Sequence, residues 1–329
     1  MNRFRHLLLV VLTVALAPVS ELAQAAASQD VAYPTRPVRM IVPYGAGGST
    51  DLLSRIVAHR LTEKWATQFV VDNRPGANGI IATDMAARAS ADGYTLLMAS
   101  SGHTANPALH PKLQHDVIKD FASVVHIASM PNLLAVHPSQ PIHSLKELIA
   151  LAKAKPGALT FGHAGIGSSQ QFSGEMLKTA ANIKIIGVAY KGGGPATVAA
   201  LGGQVTMLFA GLPAIIQQAK SGKLRPIAVT SLKPSAFLPD VPAIADQGFP
   251  GFDNVFWVAI VVPRGVPKEI IGKLNSEVNA ALARQDTISD FARQGVEPGG
   301  GTVTQLDAFI RKEFDLATTV VKQAGITLE

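Results

Sequence analysis

Segments typical of strands and of helices alternate along most of the chain, and this alternation constrains the fold more than any other feature. Apolar runs of strand length begin at Val38 and recur until Val262, and stretches with helical periodicity separate them. Such alternation is typical of a sheet of parallel strands covered by helices. Apolar residues make up 47% of the chain and aromatic residues only 6%, which suits an aliphatic core. We therefore predict an α/β fold.

The pattern also predicts individual elements and two lobes. Prolines at 138 and 141 interrupt the first block of elements, and a second block begins with the capping box formed by Ser144 and Glu147. The chain returns to the first block near Pro250, so two segments cross between the blocks and form a hinge with a cleft. We predict a first lobe of residues 28–138 and 250–329, and an inserted second lobe of residues 139–249. The predicted strands are 38–42, 69–72, 96–99, 159–163, 185–189, 205–209, 224–229 and 255–262, and the main predicted helices are 51–65, 145–155, 268–283 and 304–323.

Three glycine-rich loops follow predicted strands and precede predicted helices, at residues 45–50, 162–170 and 190–195. Glycine lets the backbone turn so that its amide groups converge, and a helix N-terminus favours negative charge. Ligands of open α/β sheets bind at the carboxyl ends of the strands, where all three loops are expected. Because the first loop contains no Lys or Arg, these loops suit a small anion that is held by backbone amides.

The N-terminal residues predict export. Arg3 and Arg5 precede an apolar run from Leu7 to Ala17, and small residues suitable for cleavage follow. We expect residues 1–27 to be a signal peptide that is cleaved near Ala25 or Ala27, so that the mature protein is exported. The chain contains no cysteine, which excludes disulfides, thiol catalysis and a lipid-modified cysteine.

Several other function classes lack support in the sequence. The formal net charge is +6, but the basic residues are scattered and no arginine-rich run occurs, so nucleic acid is not an expected partner. The segment from Gly45 to Thr50 partly matches a dinucleotide fingerprint, but Thr50 stands in the position of its third glycine. No G-x-S-x-G elbow and no H-E-x-x-H motif occurs. We expect no catalytic residues, no cofactor and no metal site.

Short motifs along the chain resemble one known family in content, order and spacing. They are YPTRP at 33–37, IVP at 41–43, GGSTD at 47–51, NRPGA at 73–77, DGYTLL at 92–97, YKG at 190–192, GKLR at 222–225 and LPDVP at 238–242. The ordered set resembles the Bug family of periplasmic solute receptors, the substrate-binding components of tripartite tricarboxylate transporters. The resemblance covers the mature chain almost from end to end.

This resemblance implies a two-lobed receptor of the periplasmic binding protein type II fold, with a hinge and an interlobe cleft. Such a receptor closes on a small carboxylate, is a monomer and presents its ligand to the permease subunits in the membrane. In the family, backbone amides and ordered water hold the ligand carboxylate. Carried over residue by residue, the ligand-binding candidates are Tyr44, Gly47, Gly48, Ser49, Asp51, Asn78, Ser100, Ser101, His103, His163, Gly165, Gly167, Ser168, Gln170, Tyr190 and Ala210.

The chain departs from the family pattern at two positions. Gln171 stands where relatives often have His, and Ala210 stands where relatives often have Asp. An acidic side chain at position 210 could hold a ligand ammonium group, so its absence favours a plain mono- or dicarboxylate, including an aromatic one, over an amino acid. The sequence leaves one alternative open, which is a carboxylate-sensing receptor that acts on a signalling partner instead of a permease.

Overall fold

The first strand illustrates how the sequence specifies the sheet. The computed structural model describes residues 32–324, so the predicted signal peptide and its cleavage site lie outside the described residues. Strand β1, Val38–Val42, is buried along almost its whole length, as expected for a strand covered on both faces. Met40 packs into one apolar cluster and the next residue, Ile41, into another. Successive side chains thus enter cores on opposite faces of the sheet.

Residues 32–324 form nine strands and ten α-helices. The strands are β1 Val38–Val42, β2 Phe69–Asn73, β3 Thr95–Ser100, β4 Phe121–Val136, β5 Thr160–His163, β6 Ile186–Ala189, β7 Met207–Gly211, β8 Arg225–Val229 and β9 Val255–Pro263. The helices are α1 Ser49–Trp65, α2 Ile80–Ala87, α3 Ser101–Leu109, α4 Leu145–Ala154, α5 Ser169–Ala181, α6 Gly193–Leu201, α7 Leu212–Lys220, α8 Lys268–Leu282, α9 Gln285–Arg293 and α10 Val303–Ala324. Within this part of the chain, no helix is both long and apolar enough to span a membrane.

The strands form a mixed sheet in the order β2-β1-β3-β9-β4-β7-β5-β6, with β8 also paired to β4. Strands β1, β2 and β3 are parallel to one another, as are β5, β6 and β7. Strands β4 and β9 run antiparallel to their neighbours. The α/β class is confirmed, but the expectation of a purely parallel sheet was wrong. The reason is that β9 runs antiparallel to β3 in the first parallel group, β4 runs antiparallel to β7 in the second, and β4 and β9 are antiparallel to each other.

Strand β4 is shared between two groups of strands. Its residues 121–131 pair with β9, which also pairs with β3, and these strands with β1 and β2 form the first strand group. Its residues 132–136 pair with β7 and β8, which with β5 and β6 form the second strand group. The change of partner occurs between Pro131 and Asn132. The lobe boundary at residue 138 remains a prediction, and β4 exchanges its partners before that residue.

A polar cluster lies where the chain passes between the two strand groups. The Thr230 hydroxyl accepts a hydrogen bond from the Asn132 amide at 2.9 Å and donates one to the Asn254 carbonyl at 2.6 Å. The Asn254 side chain donates to the Ser169 carbonyl and the Ser173 hydroxyl on α5. Both crossing segments are therefore tied together and to the helix that follows β5.

Candidate functional site

A cavity of about 340 Å³ lies at the carboxyl ends of strands from both groups. Its walls come from the loops after β1 and β2 in the first group and after β5 and β6 in the second, together with the end of α3. This is the part of an α/β sheet where ligands bind. The residues that line it are Tyr44, Gly76, Ala77, Asn78, His110, Ala164, Gly165, Ile166, Ala189, Tyr190 and Lys191.

The charge of this cavity favours an anion. Among the described residues that line it, Lys191 and His110 are basic and none is acidic. Burial lowers the pKa of His110, so Lys191 carries the cationic charge at neutral pH. Burial also raises the pKa of the Tyr44 phenol to about 12, which keeps that hydroxyl protonated. The lining combines one cation, neutral hydrogen-bonding groups and apolar surface.

Loops from the two strand groups are in contact beside the cavity. The Gly45 amide donates a hydrogen bond to the Lys191 carbonyl at 3.0 Å. A Cβ atom added to Gly194 would lie 2.2 Å from the Ala46 carbonyl oxygen, and one added to Gly48 would lie 3.3 Å from the Gly194 nitrogen. Only glycines allow backbones to approach this closely. The loops after β1 and β6 are therefore in direct backbone contact.

The first glycine loop is held by its own side chains. The Asp51 carboxylate accepts hydrogen bonds from the Gly47 amide at 2.9 Å and from the side chains of Arg55 and Asn73. Burial opposes ionisation of Asp51, but these donors outweigh it and hold its pKa below the usual value. The Ser49 hydroxyl donates to the Gly211 carbonyl at 3.3 Å. Of the candidates in and beside this loop, the structure places Tyr44 on the cavity wall, and the Gly47 amide is already used by Asp51.

The candidates at the end of β3 and in the first turns of α3 lie behind the cavity wall. The Ser100 hydroxyl donates to the Tyr44 hydroxyl at 3.0 Å, and the Ser101 hydroxyl accepts from the Trp257 amide at 3.3 Å. His103 is buried and packs edge-on against Phe121, with the ring centroids 5.1 Å apart. Burial lowers the pKa of His103 to about 3, so its ring is neutral at pH 7. These residues support the wall, and direct contact with a ligand remains a prediction for them.

The second glycine loop places Gly165 on the cavity wall. Its other candidate residues form hydrogen bonds within the protein. The His163 ring lies 3.0 Å from the Gly165 carbonyl, and burial lowers the pKa of His163 to about 4. The Gly167 amide donates to the Gln171 side chain at 2.6 Å. Gln171, which departs from the family pattern, thus stabilises the loop. Ser168 caps helix α5, and the Gln170 side chain donates to that of Asn132.

The structure places Ala210 inside an apolar cluster and not on the cavity wall. It pairs with Leu133 of β4 and is fully buried among aliphatic side chains such as Leu208 and Ile215. Its contribution to ligand selectivity remains a prediction. An Asp at this position would place a carboxylate among these side chains.

Several wall residues were absent from the sequence-based set. They are Gly76, Ala77, His110, Ala164, Ile166, Ala189 and Lys191. Gly76 and Gly79 follow the carboxyl end of β2. Because ligands of α/β sheets bind at such ends, this position was the signal that could have identified Gly76 and Ala77 as wall residues. Ile166 lies in the predicted glycine loop 162–170, which carried the same signal, whereas His110 carried none, because its place on the wall depends on how α3 packs.

A match to a family profile identifies the family. The profile of the tripartite tricarboxylate transporter family receptor, TctC, matches residues 53–326. The chain belongs to this family. The family consists of transport receptors and not of enzymes, which agrees with the receptor interpretation of the sequence. Protein BugT of Bordetella pertussis is 36% identical over 331 residues, which cover 100% of both chains.

Solved structures of similar receptors have the same fold. The structure of Rhodopseudomonas palustris Rpa4515 with adipate is 37% identical with a TM-score of 0.87, covering 90% of this receptor and 99% of that chain. The periplasmic binding protein BugD is 31% identical with a TM-score of 0.87, covering 90% and 100%. MatC of the same Rhodopseudomonas species, with bound malate, is 29% identical with a TM-score of 0.82, covering 88% and 100%. The receptor thus has the α/β fold of periplasmic binding proteins of the Bug and TctC family.

Proposed function

We propose that this receptor binds a small carboxylate in the cavity between its strand groups and delivers it to a tripartite tricarboxylate-type permease. The supporting observation is a cavity lined from both groups by one cation, neutral polar groups and apolar surface, with no acid among its described lining residues. Because a carboxylate buried without a partner is strongly disfavoured, Lys191 supplies the positive charge that such a ligand needs.

The ligands of relatives support the same class. Rpa4515 is described with adipate and MatC with malate, and both compounds are dicarboxylates. Pockets for small molecules commonly have volumes of about 300–1,000 Å³, so a volume of about 340 Å³ suits a compact ligand. The apolar wall formed by Ala77, Ala164, Ile166 and Ala189 suits a hydrocarbon chain or ring between the polar groups.

The proposal includes two lobes that close on the ligand. The lobes are residues 28–138 with 250–329, and residues 139–249, and the crossing segments around Thr230 form the hinge. We further propose that the mature protein begins after Ala25 or Ala27 and acts as a monomer in the periplasm. N-terminal sequencing of the exported protein tests the cleavage position, and light scattering tests the oligomeric state.

Calorimetric titration of the mature protein with adipate and with malate tests the binding function. We expect saturable binding of at least one of them, and a loss of roughly tenfold in affinity in Lys191→Met, since one charge-assisted contact contributes about 1.5–3 kcal/mol. Lys153→Met removes an exposed lysine of α4 and serves as the matched control. Absence of binding across a panel of mono-, di- and tricarboxylates would contradict the proposal.

Delivery to a permease needs a separate test in cells. The receptor and the permease subunits of its transporter are expressed together, and uptake of the labelled carboxylate is measured. We expect uptake to require both components. Uptake that is unchanged when the receptor is deleted would contradict a transport role and favour a role in sensing.

A further inference from the structure

The loop that follows β2 has an unusual backbone. Four consecutive residues have positive φ angles, which are 142° at Gly76, 45° at Ala77, 50° at Asn78 and 92° at Gly79. Residues with a Cβ atom rarely adopt this region, because the Cβ atom crowds the backbone there. Three of the four residues line the cavity. This segment, which we call the 76–79 loop, therefore requires contacts that hold it in this shape.

Asn106 of helix α3 provides such contacts. Its side-chain Nδ2 donates to the backbone carbonyl of Asn78 at 3.1 Å, and its Oδ1 accepts from Nδ2 of Asn78 at 3.1 Å. Asn106 is only 1% exposed and Asn78 only 6% exposed. Two hydrogen bonds between one pair of buried residues fix both the backbone and the side chain of Asn78.

The direction of each bond in this group follows from one carbonyl. The Asn78 carbonyl can only accept, so the Asn106 nitrogen must face it and the Asn106 oxygen must face the Asn78 side chain. That orientation turns the Asn78 oxygen towards the Tyr44 hydroxyl, which donates to it at 3.0 Å. The Tyr44 hydroxyl in turn accepts from Ser100. The network connects α3, the 76–79 loop and the cavity wall, and in each of its hydrogen bonds a donor faces an acceptor.

The same pair lies against the second strand group. A Cβ atom added to Gly167 would lie 2.9 Å from Nδ2 of Asn78 and 3.4 Å from Oδ1 of Asn106. One added to Gly165, on the cavity wall, would lie 3.9 Å from the Asn78 Cα atom. The Asn78–Asn106 pair therefore forms the surface on which the loop after β5 rests when the cavity is closed.

We propose that Asn106 is a positioning residue for the ligand site, which holds the 76–79 loop in the shape that completes the cavity when the loop after β5 closes on it. Asn106 acts through Asn78 and lies behind the cavity wall. This role rests on the proposed function, because it concerns the binding of the carboxylate.

The test compares Asn106→Ala, Asn106→Asp and the wild-type protein by calorimetric titration with adipate, malate or the tightest-binding carboxylate of the panel. Asn106→Ala removes both hydrogen bonds, so we expect the affinity to fall roughly tenfold or more. Asn275→Ala is the matched control, because Asn275 also donates to two backbone carbonyls, those of Val124 and Gly301, but lies on α8 away from the cavity. We expect its affinity to equal that of the wild type.

Asn106→Asp separates positioning from a general loss of structure. An ionised Asp cannot donate to the Asn78 carbonyl, whereas a protonated Asp can both donate and accept and so restores both bonds. We expect the affinity ratio of this variant to the wild type to rise as the pH is lowered from 7 to 5, with no such rise for Asn106→Ala. A ratio that does not change with pH would overturn the role of Asn106.

Hydrogen exchange of the unliganded protein supplies a second measurement. We expect faster exchange at residues 76–79 in Asn106→Ala and unchanged exchange in the strands. Unchanged exchange in this loop, or unchanged ligand affinity, would overturn the role of Asn106 and leave the proposed function standing. A wild-type protein that binds no carboxylate of the panel would instead contradict the proposed function, and the binding role of Asn106 with it.

Discussion

The amide of Gly45 donates a hydrogen bond of 3.0 Å to the carbonyl of Lys191, and this bond joins the loop after β1 to the loop after β6. The two loops belong to different strand groups. Lys191 therefore contributes to the site in two ways. Its carbonyl joins the two loops, and the residue also lines the cavity. If the lobes close on the ligand as proposed, this bond stabilises the closed form and is lost on opening.

Gly194→Ala is expected to hinder closure. The added Cβ would lie 2.2 Å from the Ala46 carbonyl oxygen, an overlap with backbone that costs about 1–3 kcal/mol. We expect adipate affinity to fall by roughly tenfold and the ligand-induced decrease in radius of gyration to be smaller in X-ray scattering. Gly272→Ala is the control, since a Cβ there meets no atom within 4 Å. Wild-type affinity in a folded Gly194→Ala protein would show that this loop contact does not form part of the bound state.

Selectivity against amino acids follows from the charge of the cavity. Glutarate and glutamate differ only by the ammonium group of glutamate. Since no acidic side chain occurs among the described lining residues, that ammonium would be buried without a partner, and we expect glutarate to bind at least about a hundredfold more tightly. Succinate and aspartate form a second matched pair for the same titration. Equal affinity within each pair would mean that some other group neutralises the ammonium.

The buried histidine His103 is expected to make stability depend on pH. Its pKa is about 3 in the folded state and ordinarily about 6.5, so at pH values between these the unfolded state binds the additional proton. Stability is therefore lost as the pH falls below about 6.5, by up to about 1.4 kcal/mol per pH unit for this residue. Urea unfolding of His103→Gln between pH 7 and 5 should show a shallower dependence than the wild type. An equal dependence in His103→Gln and the wild type would show that other groups cause the loss of stability.

Thr230→Val tests the hydrogen bonds at the crossing segments. The substitution keeps the shape of the side chain but leaves the Asn132 amide and the Asn254 carbonyl without their partner. We expect the free energy of unfolding to decrease by about 1–3 kcal/mol, because buried polar groups are left unpaired. Thr318→Val, on the exposed side of α10, removes a hydroxyl bonded to the Phe314 carbonyl and should change stability little. Equal losses in the two variants would argue against a special role for Thr230.

Local patterns predicted most of the elements. Strand β1 was predicted with its observed bounds, and helix α1 begins at Ser49, two residues before the predicted start. The Ser144 side chain caps α4 by accepting from the Glu147 amide, as the capping box indicates. These features depend on residues a few positions apart, so they can be read directly from the sequence.

Features that depend on distant residues could not be predicted in this way. Strand β4 was missed, because it contains Pro131 and follows the polar helix α3, so its length becomes clear only from its pairing with β9, β7 and β8. The Asn78–Asn106 pair joins residues that are 28 positions apart. The hydrogen bond from the Gly47 amide to the Asp51 carboxylate could not be predicted either, and ligand contact by the candidate Gly47 remains a prediction.

Strand β4 also bears on how the protein folds. Its residues 121–131 pair with β9 at the edge of the first group, and its residues 132–136 lie between β7 and β8 in the second, so this single segment belongs to both groups. Because the loss of β4 from either group would leave backbone donors and acceptors of the sheet unpaired, we expect the two groups to unfold together. The mature receptor should therefore melt in one cooperative transition, and a fragment of either group expressed without β4 should not fold.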